Sequence, residues 1–193
     1  MAEIPEAEPK RHSLLVDLII RLVREKPLGT VGAVITLLLL LTGIFADFLA
    51  PYGMNERVAS PLIPPSGTYL LGTDQLGRDL LSRVIFGARI SMIVGLVAAA
   101  LAVVVSLVIA LPSGYLGGKF DLIVQRAVDG WMCFPSLFIL MVLMSVVGYG
   151  MWQVIIIIGL GMGIPGSRII RGAVMSVKEN VYVAAAQATG CST

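Results

Sequence analysis

Residues 90–111 read ISMIVGLVAAALAVVVSLVIAL, without one charged side chain, and the chain contains several runs of this kind. About 18 or more consecutive apolar residues are enough, as a helix, to cross the hydrocarbon core of a bilayer. Lipid offers no partner to a backbone amide, so a crossing segment must satisfy its own hydrogen bonds, and a helix does so. Further runs lie at residues 28–50, at about 131–148 with Pro135 inside, and from Trp152 to about Ser167. The expected fold is therefore an all-α integral membrane protein with at least four transmembrane helices. Composition agrees: the 193 residues are 57% hydrophobic and 13% charged, with a mean hydropathy of +0.92. A soluble domain cannot bury that much apolar surface.

The segments between the runs give the organisation. Residues 1–27 form a polar tail with Pro5 and Pro9, then Lys10, Arg11, Arg21, Arg24 and Lys26. Amphipathic periodicity over residues 13–23 suits the membrane surface. The first run is too long for a signal-peptide core and lacks a small-x-small cleavage site before Pro51, so it reads as an uncleaved anchor. Residues 51–70, APYGMNERVASPLIPPSGTY, are too rich in proline and glycine for one regular element and are expected to be an extended loop. The second span is expected to end at Pro112, followed by the turn SGYLGGKFD and a helical stretch starting near Asp121.

Lysine and arginine set the orientation. With the N-terminus in the cytoplasm, ten fall inside: the five of the tail, Lys119, Arg126, Arg168, Arg171 and Lys178. Four fall outside: Arg57, Arg78, Arg83 and Arg89. Residues 51–89 are thus expected to face the exterior.

Within that outer segment, LGTDQLGRDLLSRVIFGAR (71–89) gathers an unusual share of the ions. Thr73 or Asp74 is a good helix N-cap, because a side-chain oxygen there accepts from the free amides of a first turn. An amphipathic helix is expected from that point, with Leu76, Leu80, Leu81, Val84 and Ile85 on one side. Asp74 with Arg78, and Asp79 with Arg83, would pair across one turn, each worth about 0.3–0.5 kcal/mol. Arg89 is expected to snorkel towards the headgroups.

Several chemistries are excluded or disfavoured. The basic residues form no face with interleaved aromatics, which argues against nucleic acid as a partner. Cys133 and Cys191 lack metal or disulfide spacing and read as small apolar fillers, and His12, the sole histidine, lies in the polar tail. GMGIPG (161–166) matches a dinucleotide fingerprint but falls inside a span, without the required strand. Gly159 and Gly163 instead make a G-x-x-x-G face for close helix packing. Gly95 with Ala98, Ala99 and Ala100 offers a similar one. There is no Walker motif, no H-E-x-x-H and no nucleophile with a base, so no catalytic, cofactor-binding or metal-binding residue is expected. Asp47 and Asp129 lie near span ends and read as capping or solvated, with Arg126 in reach of Asp129.

The quoted motifs also carry a resemblance. LGTDQLGRDLLSRVIFGARISMIVGL, GYLGGKFDLIVQRAVDGWMCFPSL and VYVAAAQATGCS resemble, in order, segments of the C-type permease subunits of peptide, dipeptide and nickel ABC importers. The resemblance covers residue 28 to the end and implies a type I ABC importer permease-like helical bundle. It marks Gly72, Thr73, Asp74, Gly77, Arg78, Asp79, Ser82 and Arg83 as the motif of an external helix. Tyr182, Ala184, Ala185, Ala186 and Gly190 become the residues that couple to an ATPase, with residues 90–193 the start of the permease domain. Where this chain has Ala184 the family usually has Glu, one charge fewer at that contact. The alanines favour helix, and Gly190 lets the backbone leave it.

The implied partners are a second permease subunit, two ATP-binding subunits, an extracytoplasmic solute-binding protein and membrane lipid. The family continues past this loop through two more spans, so the sequence as given is not expected to complete a translocation path alone. The alternative from another class is a non-transporting membrane scaffold, or an inactive permease fragment, assembled through the glycine faces.

Overall fold

A computed structural model describes Val23 and residues 26–190. The amphipathic reading of residues 13–23 falls largely, and His12 and Cys191 wholly, outside the described residues. The chain divides into two compact units, one up to Ile90 and one from Ser91.

In the first unit, helix α1 spans Pro27–Ile44. Proline is suited to a first helical position because its missing N–H would have no partner there. At Phe45 the helix breaks, and a single turn, α2 (Ala46–Leu49), follows. Residues 51–79 contain no regular element. They are closed by two isolated antiparallel bridges, Arg57 with Arg78 and Thr73 with Asp79. Helix α3 (Leu80–Leu116) begins in this unit.

That start corrects the expectation of a helix capped by Thr73 or Asp74. The cap is Asp79, whose carboxylate accepts from the Ser82 amide at 2.8 Å and the Ser82 hydroxyl at 2.7 Å. Gly72 and Gly77 have φ of +79° and +74°. Such angles suit turns and interrupt a helix, so Gly72, Thr73, Asp74, Gly77 and Arg78 form a folded loop. Arg83 pairs with Asp74 rather than Asp79. Arg89 is also held: its Nε donates to the Gly43 carbonyl at 2.8 Å and its Nη2 meets Asp47 at 2.7 Å. The last carbonyls of α1 attract a cation, so this arginine ties to the helix end instead of reaching for headgroups.

In the second unit α3 continues through Pro112 to Leu116. The proline removes one donor, but the helix carries on, and its last turn closes with Gly117 N–H donating to the Ser113 carbonyl at 3.1 Å. Gly117 and Gly118, with φ of +64° and +56°, turn the chain into α4 (Gly118–Met132). The expected third span is not one kinked helix. The backbone turns through 87° at Cys133, Phe134 and Pro135 before α5 (Ser136–Val147). A residue preceding proline is pushed out of the helical region, which ends α4 there.

Helix α6 spans Met151–Lys178, well past the expected end near Ser167. A short α7 (Val181–Ala188) follows. Among the described residues, α1, α3 and α6 are long and apolar enough to cross a membrane, and α4 with α5 counts as a fourth span when taken as one broken element.

Helix α6 is the centre of this unit and packs on α4 and α5. Its glycines admit α3. A Cβ at Gly159 would stand 2.6 Å from the Leu101 side chain, and one at Gly163 would stand 2.8 Å from the Ala102 carbonyl and Val105. The expected G-x-x-x-G contact is thus made within the chain, and the Ser106 hydroxyl adds a 2.7 Å bond to the Gly163 carbonyl. Gly95 has no such neighbour, and of the adjacent alanines only Ala98 is buried. No residue of α5 is buried by this chain.

Candidate functional site: the stem beside the last described helix

The ions of the second unit collect where α6 runs down beside the turn and helix at residues 113–129. Asp121 sits in the first turn of α4, where the helix dipole favours an anion. Arg171 meets it with both arms: Nε donates to Oδ1 at 2.5 Å, and Nη2 pairs with Oδ2. Two parallel bonds fix direction as well as distance. The Ser113 hydroxyl donates to the same carboxylate at 2.5 Å and accepts from the Gln125 amide at 3.2 Å.

Two turns further along α4, Asp129 pairs with Arg168, and with Arg126 of its own helix at 3.3 Å. Below these, Gly114 lies under Val174, so close that a Cβ would be 2.9 Å from its methyl group. Lys178 Nζ then donates to the Tyr115 carbonyl at 2.8 Å and stands 5.6 Å from the centre of that ring. A polar cleft of about 500 Å3 opens between the two helices, lined by Asp121, Gln125, Asp129, Arg168 and Arg171 among others.

Just beyond this stem is α7, on which Tyr182, Ala184, Ala185 and Ala186 all lie. Val181 and Tyr182 are 84% and 62% exposed, and Ala185 and Ala186 are also exposed. Gly190 has φ of +88°, so the chain leaves the helix where expected. The sequence reasoning found this helix but missed its mount, because Arg168 and Arg171 look like tail charges. The available signal was Asp121 and Asp129 beside apolar runs: acids there call for basic partners.

The residues expected to form an external helix fall on both sides of the start of α3: Ser82 and Arg83 lie on the helix, and Gly72, Thr73, Asp74, Gly77, Arg78 and Asp79 in the loop that leads into it. Buried Thr73 donates its hydroxyl to the Ser60 carbonyl and accepts from the Ile63 amide, both at 2.9 Å. Asp74 accepts from the amides of Leu76 and Arg78 and from the guanidinium groups of Arg78 and Arg83, all between 2.8 and 3.0 Å. The Arg78 amide, foremost, with the Leu76 amide and the Arg78 guanidinium, holds the Asp74 carboxyl down at about 2 against some desolvation. Asp79 and Ser82 are buried, and the Ser82 oxygen accepts from the Tyr52 amide at 3.1 Å. Among the described residues no three His, Cys, Asp or Glu side chains are placed to hold a metal.

An apolar cavity of about 550 Å3 lies at the α4–α5 break, between Trp131, Phe134, Pro135, Ile139, Met162 and Pro165.

Comparison with known proteins follows the same division. Residues 102–193 match the family described as the binding-protein-dependent transport system inner membrane component. Residues 13–65 match the N-terminal transmembrane domain of oligopeptide transport permease C. The oligopeptide transport system permease protein OppC of Bacillus subtilis (strain 168) is 36% identical over 95% of this chain and 60% of its own length. The dipeptide permease DppC of the same organism is 31% identical over 90% of this chain and 54% of its own. The probable D,D-dipeptide permease DdpC of Escherichia coli (strain K12) is 36% identical over 89% and 58%. This chain thus spans a little over half the length of these relatives.

Proposed function

The chain is a member of the C-type permease family of binding-protein-dependent peptide transporters, and we propose that it serves as one of the two permease subunits of an ATP-driven peptide importer. It sits in the cytoplasmic membrane as a multi-pass protein with its N-terminus and α7 inside. Energy comes from two separate ATP-binding subunits, and an extracytoplasmic solute-binding protein delivers the solute. Peptides are the solute class because the similar proteins named above are peptide permeases.

The observation that carries this reading is α7 itself: a short helix half made of alanine, with Val181, Tyr182, Ala185 and Ala186 exposed, that follows the paired stem of α6. Small side chains allow close approach to a partner, and a stiff mount lets a push on α7 reach the membrane helices. The arginines and lysine of the stem agree with a cytoplasmic position.

The test has two arms. A thiol introduced as Ala185→Cys, in a chain cleared of Cys133 and Cys191, is expected to react with an impermeant reagent in inverted vesicles and not in intact cells. Ala185→Trp is expected to abolish co-purification with the ATP-binding subunits while the chain still inserts. Labelling from the cell exterior would overturn the reading, as would undiminished co-purification of the tryptophan variant.

A further inference from the structure

The side chains that fasten α6 to residues 113–129 are Arg168, Arg171, Val174 and Lys178. Their spacing of three, three and four residues puts them within about a third of the helix circumference, at 100° per residue. Their partners run the other way along the chain: Asp129, Asp121, then Gly114 and Tyr115. This is one continuous seam, about 15 Å long at 1.5 Å per residue. At each end of the seam a cation meets an acceptor, Asp129 at one and the Tyr115 carbonyl at the other. The closest steric contact, Gly114 under Val174, falls between.

Beyond the seam little slack remains. The turns carry on through Glu179, whose amide donates to the Met175 carbonyl at 3.2 Å, and Asn180, whose amide donates to the Val177 carbonyl at 3.2 Å. Helix α7 starts at the next residue. An apolar seam can reseat by a turn and recover much of its contact, since dispersion carries no fixed partner. The bidentate Asp121–Arg171 pair has one allowed register.

We propose that Asp121, Asp129, Arg168 and Arg171 are positioning residues for transport: they lock α6 to α4 in depth and rotation, so that motion imposed on α7 moves both helices as one body. Without the lock, the stem yields and nucleotide hydrolysis continues with little solute moved. The inference rests on the reading of α7 as the motor-facing helix and adds the element that transmits its motion.

The experiment uses the complete transporter in proteoliposomes, both permeases with the ATP-binding subunits and binding protein, and a labelled oligopeptide. The quantity read is peptide moved per ATP hydrolysed, per assembled complex. Asp121→Asn and Arg171→Gln are each expected to lower that ratio about ten-fold, the effect of losing one strong side-chain coupling. The exchange Asp121→Arg with Arg171→Asp restores most of it, and Arg171→Lys, with charge but no fork, falls between. Fewer assembled complexes at an unchanged ratio would show a merely structural role and overturn the proposal, as would single variants indistinguishable from the parent.

A second measurement is independent of transport. Spin labels at Leu122→Cys and Ile169→Cys, both exposed positions, in a chain cleared of Cys133 and Cys191, are expected to keep one distance with and without nucleotide, and to spread in Asp121→Asn. A distance that changes with nucleotide in the parent transporter would also overturn the lock. A parent transporter that hydrolyses ATP without responding to peptide removes the functional reading itself. A responsive parent with insensitive variants removes only the lock.

Discussion

Two regions of this chain pair aspartate with arginine, and they do so to opposite ends. In the loop at residues 51–79, Asp74 directs its carboxylate to neighbours within nine positions, including two amides of its own turn. In the stem, Asp121 reaches Arg171, fifty positions away on another helix. The first arrangement stiffens a segment that lacks regular structure of its own. The second joins two helices that are distant in sequence. A carboxylate turned on its own backbone makes shape, and one turned outward makes a joint.

The sharpest way to break that distinction is Gly77→Val. A Cβ there would collide with the Ala59 carbonyl, and φ is +74°, an angle that β-branched residues avoid. The loop is expected to lose about 3 kcal/mol or more of local stability. Limited proteolysis between residues 53 and 78 would report it, while cross-linking between α4 and α6 stays unchanged. If the stem loosened too, the two regions would not be separate structures.

Next in size is the joint. A double-mutant cycle with Asp121→Ala and Arg171→Ala, read by denaturant unfolding in detergent, is expected to give a coupling energy of about 1–2 kcal/mol. Additive single effects would reduce the pair to coincidence.

The loop also responds to acid in a defined direction. The Asp74 carboxyl lies at about 2 when folded and at 3.8 ordinarily, so its contribution is complete above the higher value and falls away as pH drops between the two. Pepsin susceptibility of the loop should rise across that window, and Asp74→Asn should abolish the rise. A transition that survives in the asparagine variant would place the titration elsewhere.

Smallest is Lys178→Met, which removes the bond to the Tyr115 carbonyl and the contact with its ring. About 0.5–1 kcal/mol is expected on the same unfolding scale. A larger loss would make the lower end of the stem its main anchor.

The sequence made α1, α3 and α6 legible because apolar runs of that length have few other fates. Gly159 and Gly163 were legible for the same reason: small residues four apart on an apolar helix mark a contact face. Helix ends were not. Hydropathy reports where charge begins, whereas a helix ends where its hydrogen bonds do, so α6 passes Arg168 and Arg171 without interruption. The loop at residues 71–79 misled for a local reason. Asp74 and Asp79 are equally good caps by composition, and the choice between them is made by Gly72 and Gly77, whose positive φ angles the pattern of apolar residues does not encode. The stem was legible only in part: the acids beside apolar runs call for basic partners and Arg126 lies in reach of Asp129, but the partners on α6 are roughly forty to sixty positions away, and nothing in either stretch alone names the other.

The right-angled corner at Cys133, Phe134 and Pro135 has a bearing on assembly. Helix α5 has 12 residues, about 18 Å of length, against a hydrocarbon layer of about 30 Å. Taken alone, α5 is too short to cross that layer, yet the corner meets its own amide needs: the Cys133 N–H donates to the Asp129 carbonyl at 3.0 Å, the Phe134 N–H to the Trp131 carbonyl at 3.4 Å, and Pro135 carries no N–H. What a break still frees is carbonyl oxygen, so this bend is the part of α4 and α5 least suited to bare lipid.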